Sequence, residues 1–210
     1  MVQIAPQEPP GRFGKESVMT SPTEMLSRDH ALMERLMISI ESMIASIANG
    51  ASMDLRPLNR AALLMKKLGA EHHMSDEERL IFPRIETSGR HEDLLKTLRL
   101  QHDRGRAIID RIIDTTQAGG VDTVGEMNEI VRLCMSFIVM YRSHAAIEET
   151  VLFPALYDFA SSDEIMNIQA IMRGEEEGLM RDQRFRNMMD SLAAIEAVAG
   201  TSDISRFTPE

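Results

Sequence analysis

Residues 73–83 read HMSDEERLIFP, and residues 144–154 read HAAIEETVLFP. The two stretches share a histidine, two adjacent glutamates and a Phe-Pro ending, all at matched positions that are 71 residues apart. Two further histidines, His30 and His102, are 72 residues apart. This spacing indicates a duplicated pair of helices, in which each copy carries one isolated histidine and one His-x-x-x-Glu pair.

Apolar residues around these motifs recur at alternating steps of three and four, which is the pattern of a helix with one buried face. The spacing predicts helices from the Ser21 cap to Asn49, over about residues 55–85, from near His91 to Gly119, and from Asp122 to Pro154. Short connections make consecutive helices antiparallel neighbours. The sequence therefore predicts an all-α fold, an up-down-up-down antiparallel four-helix bundle over residues 21–159. Pro83 and Pro154 are expected to end or kink their helices.

Two segments flank the predicted bundle. Residues 1–20 contain prolines, glycines and charges and are expected to form a flexible N-terminal tail. Residues 160–210 are predicted to be a C-terminal helical appendage that packs on the bundle, beginning at a capping box formed by Ser161 and Glu164. Its two helical stretches are too short to hold a core of their own.

Composition excludes several classes of protein. The formal charge of −10 and the pI near 5.1 argue against nucleic acid and anionic membranes as partners, because binders of either usually carry a basic face. No uninterrupted apolar run approaches the roughly 20 residues that span a bilayer. The single cysteine, Cys134, forms no internal disulfide, so an oxidising compartment is not required. The expectation is a cytoplasmic protein.

Six side chains that can ligate a metal fall on the predicted core-facing stripes. Residues four apart share a helix face, so each histidine of a His-x-x-x-Glu pair projects with its glutamate. Burying such groups without partners would cost several kcal/mol per ion. Four nitrogens and two carboxylates exceed what one zinc ion takes and suit two first-row ions, with both glutamates bridging and water or oxygen completing the sites. Iron is the leading candidate, with manganese and zinc as alternatives, and the candidate ligands are His30, His73, Glu77, His102, His144 and Glu148.

These motifs resemble the hemerythrin-like, HHE cation-binding family. The resemblance covers about residues 22–158 and rests on Asp29-His30, Gln101-His102 and the two His-x-x-x-Glu-Glu stretches with their Phe-Pro endings. It implies a four-helix bundle with a non-haem di-iron centre that handles dioxygen or a related small oxidant. It also implies that the six residues named above are the ligands, with an oxo, hydroxo or water bridge between the ions.

The chain departs from the oxygen-carrying members of that family at one ligand. Those members have a further histidine one turn after the third-helix histidine, and Arg106 stands at that position here. They also place the last carboxylate five residues after the fourth-helix histidine, which here is Glu149. Glu149, or Glu175 or Glu176 of the appendage, could supply the missing ligand. The loss of a nitrogen ligand favours redox turnover or sensing over carriage.

Tyr141 lies one turn before His144 on the same predicted face. It is either a core aromatic residue or a catalytic proton donor beside the metal centre. The functional prediction is a di-iron protein that reacts with dioxygen, peroxide or nitric oxide, with catalase-like turnover as one concrete form. The alternatives are an oxygen- or iron-binding and storage module, or an interaction domain that the metal holds together without turnover. No protein partner is indicated by the sequence.

Overall fold

The computed structural model describes residues 21–49, 54–120, 123–181 and 183–209, and for residues 175–185 it describes the backbone alone. The tail predicted for residues 1–20 lies outside this description. The described residues are helical and contain no strand. The helices are α1 (Pro22–Ala48), α2 (residues 56–86), α3 (Glu92–Thr116), α4 (Val124–Phe159), α5 (Ser162–Arg181) and α6 (Gln183–Ala199), followed by a 3-10 turn at Ile204–Phe207.

Capping residues set the beginnings of α1 and α4. The Ser21 hydroxyl accepts the Glu24 N–H at 3.2 Å, and the Glu24 carboxylate accepts the Ser21 N–H at 2.6 Å. Thr123 and Glu126 repeat this capping box at α4. Each box satisfies two backbone donors that would otherwise lack a partner, so both helices begin where the sequence places a Ser or Thr three residues before a Glu.

Both helices that carry a His-x-x-x-Glu pair widen at the glutamate. The Phe82 N–H bonds the Glu77 carbonyl and the Phe153 N–H bonds the Glu148 carbonyl, five residues back instead of four. These π turns immediately precede Pro83 and Pro154 and leave room for the proline ring beside the preceding turn. Of the two expected outcomes, an end or a kink, the first is wrong, since α2 continues to Glu86 and α4 to Phe159.

The apolar core forms two clusters that lie on either side of a layer of polar residues. α1 packs against α2 and α4, and α3 packs against α2 and α4. The larger cluster also takes in Met188, Leu192 and Ile195 of α6, and the smaller one takes in Ile168 and Met172 of α5. The two C-terminal helices therefore complete the core of the first four.

α4 is long and apolar enough, by length and composition, to cross a membrane. Its inward face carries buried residues of the main core, including Ile130, Phe137 and Ile138, and it packs between α1 and α3. The core buries 39% of its most apolar stretch, so core packing accounts for part of its apolar character, and Met135 and Val139 are exposed.

Candidate metal centre

Four histidines and two glutamates meet in the polar layer between the two apolar clusters. α1, α2, α3 and α4 each contribute one histidine, and α2 and α4 each add a glutamate at the start of the π turn. All six side chains are buried, with exposed fractions between 0% and 7%: His30, His73, Glu77, His102, His144 and Glu148. The structure thus brings together every residue that the sequence indicated as a candidate ligand.

Each glutamate lies between histidines of two different helices. The Glu77 oxygens are each 3.3 Å from a ring nitrogen, Oε1 from Nε2 of His73 and Oε2 from Nε2 of His102. The Glu148 oxygens are 3.3 Å from Nε2 of His30 and 2.9 Å from Nε2 of His144. All four histidines therefore present the same ring nitrogen, Nε2, to the carboxylates.

The cluster divides into two groups of four that share both glutamates. One group contains His30 and His73, whose ring centroids are 4.5 Å apart, and the other contains His102 and His144, at 4.8 Å. Within each group, one ligand atom per residue can be chosen so that all four lie within 4.8 Å of one another. Each group of four could therefore hold a metal ion, and Glu77 and Glu148 belong to both groups.

The unpartnered atoms of the cluster test whether metal fits there. Both oxygens of Glu77, both of Glu148, the Nε2 atom of His30 and both ring nitrogens of His73 are buried without a hydrogen-bond partner. Leaving so many buried polar atoms unpaired costs free energy, and coordination to cations removes that cost.

The distances between the candidate ligand atoms also agree with metal binding at this cluster. Two ligands at right angles around an ion with bonds of about 2.1 Å lie about 3.0 Å apart. The nitrogen–oxygen separations around Glu77 and Glu148 range from 2.9 to 3.3 Å. The Nε2 atoms of His102 and His144 are 3.1 Å apart. The residues present therefore fit a dinuclear metal centre.

Burial and mutual charge shift the pKa values of the cluster in opposite directions. Burial would lower the pKa of His73, but the Glu77 charge and the nearby Asp29 outweigh it and raise that pKa well above its usual value. Burial and the charge of Glu77 raise the pKa of Glu148 to about 7. Burial lowers the pKa of His144 to about 4. The Glu77 charge thus raises the pKa values of both His73 and Glu148 within one buried space.

The Nδ1 atoms of the histidines face a second set of residues. Glu149 lies 2.8 Å from Nδ1 of His30, and Glu78 lies 2.7 Å from Nδ1 of His102. The Gln101 amide oxygen lies 2.9 Å from Nδ1 of His144, and an Asp29 oxygen lies 3.7 Å from Nδ1 of His73. His30, His102 and His144 can donate from Nδ1 to these oxygens and keep the Nε2 lone pair for a metal, whereas 3.7 Å is too long for a hydrogen bond between His73 and Asp29.

This second set is duplicated like the ligands. Asp29 and Gln101 are 72 residues apart, and Glu78 and Glu149 are 71 residues apart. All four positions are part of the sequence motifs, but the motifs assign them no partner among the histidines. Their matched offsets were the signal that could have identified them.

Of the three residues proposed as extra ligands, the structure describes the side chain of Glu149 alone. The Glu149 carboxylate lies on the Nδ1 side of His30 and accepts the Ser27 hydroxyl at 2.9 Å, so it is a partner of a ligand and belongs to neither group of four. The Arg106 guanidinium donates to Glu78 at 2.8 Å, with Asp103 a further 3.4 Å contact. The side chains of Glu175 and Glu176 lie outside the described residues.

Tyr141 lies against the cluster with its hydroxyl unpartnered. It is 2% exposed, and its ring is 6.0 Å from that of His30 and 6.4 Å from that of His144. Burial, followed by the charges of Glu77 and Glu148, raises the pKa of this phenol well above its usual value. Tyr141 therefore holds a proton next to the two carboxylates.

Comparison with known proteins gives the same family that the motifs suggested. The chain is 29% identical over 209 residues to uncharacterized proteins of Mycobacterium bovis and of two Mycobacterium tuberculosis strains, covering 98% of this chain and 82% of each relative. No solved structure matches the chain. The Hemerythrin HHE cation binding domain family matches residues 21–156 and, in a second overlapping match, residues 93–207. The chain therefore belongs to the hemerythrin HHE cation-binding domain family.

Proposed function

We propose that this protein is a non-haem di-iron protein whose centre reacts with dioxygen, peroxide or nitric oxide, in redox turnover or sensing rather than oxygen carriage. α1 to α4 form the up-down-up-down antiparallel bundle that holds the centre, and α5 and α6 are its appendage. The observation that carries the proposal is the pair of four-residue groups that share Glu77 and Glu148, in which both carboxylates and the Nε2 atoms of His30 and His73 are left without hydrogen bonds.

Iron is favoured by the donor set. Each group offers two imidazole nitrogens and oxygens from two carboxylates, which is close to the two-histidine, one-carboxylate set of non-haem iron sites. Structural zinc is almost always held by four ligands in a closed tetrahedron, and manganese prefers a larger share of oxygen ligands. When bound, a pair of irons would exchange electrons with small oxidants, which no side chain of the cluster can do alone.

The chain's own residues orient the centre and hold a proton beside it. The Nδ1 contacts of His30, His102 and His144 fix the ring orientation and direct Nε2 inward. The Tyr141 hydroxyl, whose pKa is raised by burial, stays protonated and can donate to an oxygen atom in the cluster. Phe82 stacks on His102 and Phe153 on His30, and both rings exclude water from that side.

The outward position of Arg106 supports turnover or sensing over carriage. This residue stands where oxygen carriers supply an additional histidine, and its guanidinium is bonded to Glu78. The described cluster therefore has four imidazoles to share between two ions. The partner we propose is a diffusible small oxidant, in the cytoplasm, with neither nucleic acid nor a membrane involved.

One observation favours the alternative that the ions act as a structural staple. The cluster lies between the two apolar clusters and draws a side chain from each of the four long helices. Ions bound there would tie all four helices together whatever reaction they perform.

Elemental analysis of protein purified with and without air, combined with optical spectra before and after peroxide, tests the proposal. Two irons per chain and steady peroxide consumption support turnover. A stable spectral change without consumption supports sensing or storage. Bound metal that responds to no oxidant supports the structural alternative, and a chain that takes up no ferrous ion would refute the di-iron assignment.

A further inference from the structure

The two halves of the centre have matched ligands but unmatched surroundings. Each group has two histidines and the same two glutamates, so the ligand atoms alone make the two positions equal. The residues behind the histidines differ in charge, and this difference is not visible in the ligand motif.

Two carboxylates lie on the Nδ1 side of the first group, and one of them, Glu149, is within hydrogen-bond distance of its histidine. Glu149 contacts Nδ1 of His30 at 2.8 Å, and its other oxygen accepts the neutral hydroxyl of Ser27. Asp29 faces Nδ1 of His73 at 3.7 Å. Arg28 lies 4.0 Å from Asp29 and its side chain is 44% exposed, so solvent screens much of the attraction between the two charges.

One neutralised carboxylate and one neutral amide support the histidines of the second group. The same Glu78 oxygen that contacts Nδ1 of His102 at 2.7 Å also accepts Arg106 at 2.8 Å, with both side chains about 30% exposed. Gln101 stands at the position matched to Asp29 and offers His144 an uncharged oxygen at 2.9 Å. Arg106 also contacts Asp103 at 3.4 Å, but that carboxylate is 76% exposed.

A carboxylate behind a metal-bound histidine makes the imidazole a stronger donor, and a cation that engages the same carboxylate weakens this effect. Negative charge near the site also attracts a divalent ion directly. Both contributions favour the His30–His73 group over the His102–His144 group. Changing one such outer residue commonly alters metal affinity about 10–100-fold.

We infer that the two ion positions load in order: the His30–His73 position binds its ion first and tightly, and the His102–His144 position binds second and exchanges more readily. At the first position Glu149 is the positioning residue of His30, and Asp29 adds negative charge beside His73. Gln101 and the Arg106–Glu78 pair weaken the second. The inference rests on the proposed dinuclear centre and concerns the order of occupancy, which is independent of any reaction.

Titration of the full chain with Co²⁺ tests this order, because cobalt d–d bands report each ion as it binds. We expect two steps whose dissociation constants differ by at least about tenfold. His144→Ala removes a ligand from the second position and keeps the first, whereas His73→Ala removes the matched ligand from the first position and keeps the second. The ion that His144→Ala retains should therefore bind at least about tenfold more tightly than the ion that His73→Ala retains. Equal constants in both comparisons, or the reverse order, would overturn the inference.

Three charge variants assign the cause. Asp29→Asn should weaken the first step about tenfold or more and leave the second step unchanged, while Arg106→Gln should strengthen the second step. Arg111→Gln is the matched control, because Arg111 is on the same helix but pairs with the distant Glu129. Thermal melts followed by circular dichroism establish that each variant is folded. If neither the wild type nor any variant binds Co²⁺, the proposal of a dinuclear centre is refuted. If the wild type shows two equal binding steps and neither Asp29→Asn nor Arg106→Gln changes them, only the proposed order is refuted.

Discussion

The imidazole of His30 and the carboxylate of Glu149 meet across 119 residues of sequence, with Nδ1 and Oε1 2.8 Å apart. The duplicated counterpart is His102 with Glu78, at 2.7 Å. In both cases the isolated histidine of one helical hairpin is held by a glutamate of the other hairpin. The two hairpins therefore interlock through the residues that orient the ligands, and neither hairpin can set its own isolated histidine alone.

Replacing Glu149 with Ala should weaken metal binding without abolishing it. The substitution leaves all six candidate ligands in place but removes the acceptor that orients His30, so affinity for the ion at His30 should fall about 10–100-fold. Titration with ferrous ion under anaerobic conditions measures the change. Glu41→Ala is the control, since Glu41 bonds Arg142 on the protein surface. Equal affinities in the two variants would show that the His30–Glu149 contact does not support the centre.

His73→Ala and His144→Ala should each lose at least one ion and lower the melting temperature of the metal-loaded protein. Each substitution removes one ligand and leaves the buried carboxylates with one partner fewer. Removing one member of a buried charged set lowers the free energy of unfolding by about 3–5 kcal/mol. For a chain of this size that corresponds to roughly 6–20 °C. Metal content by elemental analysis and thermal melts report the two effects.

His72→Ala provides the matched control for these variants. His72 directly precedes His73 in α2, is half-buried and belongs to neither group of four. It should retain both ions and melt within about 2 °C of the wild type. Unchanged metal content in both His73→Ala and His144→Ala would contradict the ligand assignment.

Local patterns explain why so much of the centre could be predicted. A helix stripe places residues three and four apart on one face, so the core position of His73 with Glu77 follows from their spacing alone. The repeat then brings the second pair, His144 and Glu148, to an equivalent position in the other hairpin. All six candidate residues lie in one cluster in the structure for these two local reasons.

The partners on the Nδ1 side could not be predicted in this way. Glu78 and Glu149 each follow a cluster glutamate by one residue, and a turn of about 100° per residue points them toward a neighbouring helix. Which histidine they then face depends on how α1 to α4 are arranged around the core, which no local pattern encodes. The π turns before Pro83 and Pro154 escaped prediction because proline within a helical pattern more often marks its end.

Leu192→Ala should destabilise the whole protein, although Leu192 belongs to the C-terminal helix α6. This side chain is 1% exposed and packs in the same apolar cluster as residues of α1 and α2. Truncating a buried leucine costs about 2–5 kcal/mol of unfolding free energy. Urea unfolding followed by circular dichroism measures it, with Val198→Ala, 61% exposed on the same helix, expected to change stability by less than about 0.5 kcal/mol. A separate early transition confined to α6 would instead indicate a helix that is only loosely attached.

Tyr141→Phe should keep both ions and the fold but slow the reaction with peroxide. The hydroxyl is buried without a partner, so its removal should leave the unfolding free energy unchanged or raise it by up to about 1 kcal/mol. A positioned proton donor typically contributes about 100-fold or more to a rate, so peroxide consumption by the iron-loaded variant should fall at least tenfold. Stopped-flow optical measurements at equal iron content give the rate.

Tyr157→Phe separates this role from the general effect of losing a phenol. Tyr157 is 46% exposed, and its hydroxyl bonds the Thr23 hydroxyl at 2.9 Å on the surface, away from the cluster. Its removal should leave the peroxide rate within about twofold of the wild type. Two tyrosine variants with identical peroxide kinetics would mean that Tyr141 only packs against His30 and His144, and that the proton reaching the cluster comes from water.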